Sequence, residues 1–84
     1  MKLVYVYATE LGEAVQAEIL GLLRARFGTA EPLEAEERDA ERGGSSDTIV
    51  TVRVDHDHPD AVVGVVRNHA AVIDAAAESF GERV

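Results

Sequence analysis

The chain has 84 residues and no cysteine, and its sixteen acidic residues outnumber eight basic ones for a net charge of −8. That length fits one domain with one core, and the missing thiols exclude a disulfide framework, a thiolate metal site and a cysteine nucleophile. The acidic excess, with basic residues scattered along the chain, argues against nucleic acid and anionic membranes as partners.

No run approaches the roughly 18 apolar residues of a membrane span. The apolar stretch after Lys2 meets Glu10 too soon for a signal-peptide core. A soluble, cytoplasmic domain is therefore expected. The first element is the strand Lys2–Ala8 (KLVYVYA), apolar on both faces. Val4, Val6 and Ala8 point one way, and Leu3, Tyr5 and Tyr7 the other. Thr9 is placed to cap a helix over 10–27, with Glu10 and Glu13 in its first turn, where the dipole favours negative charge. Its apolar stripe is Leu11, Val15, Ile19, Leu22, Leu23 and Phe27, and Gly28 ends it.

Residues 29–46 are punctuated by Pro32 and by Gly43-Gly44-Ser45-Ser46. Between them Leu33 and Ala35 alternate with Glu34 and Glu36, which predicts an edge strand over 33–38 and a flexible acidic and Gly/Ser loop around 38–47. The clearest strand is 47–55 (DTIVTVRVD). It sets Val50, Val52 and Val54 on one face and Ile49, Thr51 and Arg53 on the other. After the polar turn His56-Asp57-His58, Pro59 opens a second helix. The spacing of Val62, Val66, His69, Ile73, Ala76 and Phe80 extends that helix over 59–80.

The order β-α-β-β-α predicts an α+β two-layer sandwich, which resembles the ferredoxin-like βαββαβ unit without its final strand. Strand one would then keep an open edge and a second apolar face, with too little chain to cover either. A second copy of the chain, or a strand added by another protein, is the expected cover. Leu3, Tyr5 and Tyr7 with Ile49, Thr51 and Arg53 are the expected interface, since aromatics with an Arg are typical of such patches. On that reading, Tyr5→Asp abolishes association and leaves the helical side folded.

One cluster has residue types suited to chemistry. His56, His58 and Asp60, with Asp55 and Asp57, offer imidazole and carboxylate ligands for Zn, Ni or Mn. His58 or Asp57 serves equally as a helix cap. His69, on the apolar stripe, is expected in the core or at an interface, where it is a candidate pH switch. The leading expectation is a non-enzymatic regulatory or interaction module that uses no cofactor. Two alternatives stand beside it: a ligand or metal sensor built on the His56 to Asp60 turn, and a small dimeric enzyme with a shared site and His56 or His58 as general base.

Overall fold

The computed structural model describes residues 1–39 and 45–78. Four strands and two helices follow one another as β1 (Lys2–Ala8), α1 (Glu13–Phe27), β2 (Glu31–Asp39), β3 (Ser46–Arg53), α2 (Pro59–Arg67) and β4 (Val72–Glu78), with a 3-10 turn at Thr9–Leu11 before α1. The strands form one sheet in the order β2-β3-β1-β4, antiparallel at every pairing. That is the complete ferredoxin-like βαββαβ arrangement, an α+β two-layer fold.

The final strand corrects the expected helix over 59–80. α2 ends at Arg67, and Val72–Glu78 pairs with β1. Ala is the best helix former, so DAAAE reads as helix on local preference. The unpaired edge of β1 decides otherwise: its row of main-chain donors and acceptors needs a strand. Strand one is therefore central, and the open edge expected of it does not exist. Phe80, the last residue of the expected stripe, lies outside the described residues. So do residues 40–44 of the expected loop; Arg38 and Asp39 belong to β2, and Ser46 and Asp47 to β3.

α1 starts three residues later than its apolar spacing suggests. Gly12 has φ 76°, a left-handed conformation that side chains other than glycine rarely adopt, and it separates the 3-10 turn from the helix. Thr9 does not cap α1; its hydroxyl bonds that of Thr48 in β3 at 2.8 Å. Gly28, at φ 91°, closes the helix with its N–H on the Arg24 carbonyl.

Both helices lie on one face of the sheet. The core joins Leu3, Tyr5, Tyr7, Val50, Val52 and Ala75 from the strands to Ile19 and Leu23 of α1 and Val62 and Val66 of α2. The register explains the choice of face. Leu3 stands opposite Val52 and Tyr5 opposite Val50, and directly opposed residues share a face. The tyrosine row and the valine row of β3 thus form one apolar surface, wide enough for two helices. Tyr5 is fully buried, and its hydroxyl donates to Gln16 Oε1 of α1 at 2.8 Å.

Burial, reinforced by the neighbouring Tyr7 hydroxyl, pushes the Tyr5 phenol well above its ordinary value of 10.0. A phenol raised in the folded state stabilises the fold below its unfolded pKa, and that contribution is lost as pH rises beyond it. Stability should therefore fall above about pH 10. In a Tyr7→Phe background, Tyr5 phenolate absorbance should appear together with the loss of helical circular dichroism, and Tyr5→Phe should flatten the dependence. Tyr5 phenolate formation in such a chain while it stays folded would contradict the burial argument.

Candidate functional site

The opposite face of the sheet is uncovered among the described residues, and the strand registers arrange it in four rows. Glu31, Arg53 and Lys2 form the first, and Glu34, Thr51, Val4 and Ala76 the second. Glu36, Ile49, Val6 and Asp74 form the third, and Arg38, Asp47 and Ala8 the fourth. The middle of this face is apolar on β1 and β3 and rimmed by carboxylates of β2 and β4. Val4, Val6, Ile49 and Thr51 are half-buried by their strand neighbours alone. Arg53 reaches Glu31 across the strands at 4.0 Å, with both side chains exposed, so this pair adds little stability.

The six residues expected to form one patch are divided between the two faces. Leu3, Tyr5 and Tyr7 lie beneath the helices, while Ile49, Thr51 and Arg53 face outward. Tyr5 and Tyr7 stack on each other at a ring separation of 6.5 Å inside the core. A strand apolar on both sides carries no mark of which side the helices take. The outward apolar residues of β1, absent from that expected patch, are Val4 and Val6. Their signal was the strand alternation itself, obscured because tyrosine and arginine are so often found at interfaces.

The histidine turn does not converge on a metal position. His56 packs its ring on Phe27 at 4.6 Å and meets His58 edge-on at 5.6 Å. His58 occupies the N-cap position of α2, where its carbonyl accepts from Ala61 and Val62 N–H groups. Asp60 lies one residue inside the helix start, in the first turn, where a carboxylate favours the helix dipole. Among the described residues no three His, Asp or Glu side chains are grouped so as to hold a metal ion.

His69 is a structural staple. Its Nε2 lies 2.7 Å from Glu18 Oε1 of α1, and its Nδ1 accepts the Ala71 N–H at 3.1 Å. An accepting Nδ1 carries no proton, so the proton sits on Nε2 and is donated to the carboxylate. Both ring nitrogens are occupied, which leaves no lone pair for general-base work. The ring ties α1 to the turn between α2 and β4. A cleft of about 430 Å³ opens beside it, lined by Leu22, Arg26, Val65, Asn68, His69 and Ala70. Its walls carry no nucleophile, and its one imidazole is committed.

Neither edge of the sheet is inviting to a strand. β2 is exposed along its whole length and densely charged. Its Pro32 lacks an N–H, and its register shifts between Pro32 and Glu34, a combination that discourages edge pairing. At β4, Arg67 and Asp74 bond the main chain of Ala75. No helix of the described residues is long and apolar enough to cross a membrane. No known family model, curated protein or solved structure matches the chain.

Proposed function

We propose that the chain is a non-enzymatic interaction module that self-associates through the open face of its sheet, two copies packing face to face. The observation that carries this reading is the pair of apolar rows on β1 and β3, with Val4 and Val6 at their centre, bounded by rows that each carry both signs of charge. A two-fold axis running across the strands between those rows stacks the sheets antiparallel. It sets Arg53 over the partner's Asp47, Glu31 over the partner's Arg38 and Lys2 over the partner's Ala8. Val4 then lies over the partner's Val6. An axis along the strands would instead bring Lys2 onto the partner's Arg53. The antiparallel stack is therefore favoured by charge, and it is isologous, as a closed dimer requires.

Size and net charge set its strength. Strands about 4.8 Å apart, with residues about 3.3 Å apart, give the face a projected area of about 450 Å² per chain. Stable interfaces bury about 800 Å² per partner, so a weak, reversible dimer is expected. Each copy carries a net charge of −8, and Glu34 approaches the partner's Glu36 in this stack. Aligned sheets cross at about 30°, which carries these outer strands apart and relieves the contact in part.

Sedimentation equilibrium over a range of concentrations tests the proposal. A monomer–dimer equilibrium should appear, and it should tighten as ionic strength rises from about 20 mM to about 500 mM, where repulsion between the copies is screened. A chain that stays monomeric at millimolar concentration in high salt would overturn the reading. So would an association that salt dissolves.

A further inference from the structure

We propose that Arg67 and Asp74 form a lock on the free edge of β4, holding that edge closed to strand addition by a second copy of the chain. The direction of the main chain follows from the ladder. The Val54 N–H donates to the Met1 carbonyl at 2.9 Å and the Met1 amine to the Val54 carbonyl at 2.8 Å, so Met1 and Val54 are a hydrogen-bonded pair. Such pairs recur every second residue in an antiparallel ladder. Leu3 with Val52 and Tyr5 with Val50 are then hydrogen-bonded pairs too. The main-chain groups of Leu3 and Tyr5 thus point to β3 and away from β4. Their partners on the other side, Ala77 and Ala75, turn their own N–H and C=O groups outward, to the open edge.

At Ala75 both of these outward groups are taken. Arg67 donates to the carbonyl from Nε at 3.1 Å and from Nη2 at 2.8 Å, while the N–H donates to Asp74 Oδ1 at 2.9 Å. The guanidinium and the carboxylate approach each other at 3.8 Å and are largely exposed. An exposed pair at that distance contributes little to stability. Its consequence is positional: it occupies the middle of the edge with one cation and one anion.

The edge needs such a guard. Beside it Ile73 is half exposed, and Ala75, Ala76 and Ala77 present only methyl groups, which allow close approach. An apolar edge strand with small side chains is a template for its own copy. Two β4 strands related by a two-fold axis at Ala75 would pair antiparallel and join the two sheets into one. Charge and a proline close the β2 edge; on β4 two side chains do so by hydrogen bonding the backbone itself.

The lock is independent of whether the open face carries a partner, and the experiment keeps the two apart. In a Val6→Asp background, which removes face association, Arg67→Ala with Asp74→Ala should convert a monomer into a concentration-dependent dimer, with Ala75 and Ala77 amides gaining exchange protection on association. A folded double variant that stays monomeric at the same concentrations would overturn the lock. Hydrogen exchange on the unmodified chain provides a second test that needs no variant. The Ala75 amide should exchange about tenfold more slowly than the Ala77 amide, to which no side chain among the described residues is hydrogen-bonded. Equal exchange at the two positions would also overturn the proposal.

Discussion

Tyr5→Asp unfolds the domain. Tyr5 is fully buried, and its hydroxyl is bound to Gln16. Removing a large aromatic from a core costs about 3–5 kcal/mol. Placing an unpaired carboxylate there adds several more, since desolvation finds no countercharge in the surrounding Leu3, Val50 and Ile19. A domain of 84 residues has a total stability of only about 4–12 kcal/mol, so the combined loss takes most or all of it. Thermal melts followed by circular dichroism read this directly. Tyr5→Phe keeps the ring and leaves Gln16 Oε1 without its donor, at a cost of about 1–2 kcal/mol. A Tyr5→Asp chain that melts like the parent would show that the helices do not cover this face.

Val6→Asp has the opposite signature. Val6 lies on the same strand, one residue away, between Ile49 and Asp74 on the uncovered face. Asp is a poor strand former, which costs up to about 1 kcal/mol, and the neighbouring Asp74 charge adds a few tenths. The domain should remain folded, with a modest drop in melting temperature. If the proposed dimer forms, self-association should weaken at least a hundredfold, because its two-fold axis brings two new charges into the contact and each must be desolvated. Sedimentation and melting on one preparation separate the two effects. Unchanged self-association in a folded Val6→Asp chain would remove the open face as the contact surface.

The contrast between two adjacent positions marks where sequence reading reached its limit. Alternation in KLVYVYA identified β1, and alternation in DTIVTVRVD identified β3, because side chains on a strand point in turn to its two faces. It also separated Val4, Val6 and Ala8 from Leu3, Tyr5 and Tyr7. What it left undecided was which set meets the helices, since both are apolar. The cross-strand register supplies the answer by setting Tyr5 against Val50. The valine row of β3 is then continuous with the tyrosine row of β1, and the paired rows make the broader apolar floor for Ile19, Leu23, Val62 and Val66.

The same division holds for the helices and for the histidines. The period of α1 and its Gly28 stop were readable locally, because a 3.6-residue repeat and a left-handed glycine are properties of a short segment. The left-handed Gly12 that delays the helix start was not. His69 fell on a helical stripe by spacing, yet it sits past the end of α2. There its two nitrogens join Glu18 and the Ala71 amide, partners 51 and 2 residues away.

The sequence by itself determined that the chain is a small α+β domain with an acidic surface, two helices and more apolar strand surface than those helices can cover. Periodicity and composition are local quantities, and they suffice for that much. Only the tertiary structure decided that DAAAE is a strand and that β1 is central. It also decided that the spare face belongs to Val4, Val6 and Ile49, and that Arg67 bonds the Ala75 carbonyl on the far edge. Each of these depends on hydrogen-bonding groups brought together from distant parts of the chain, where the need to pair a sheet edge outweighs the helical preference of alanine.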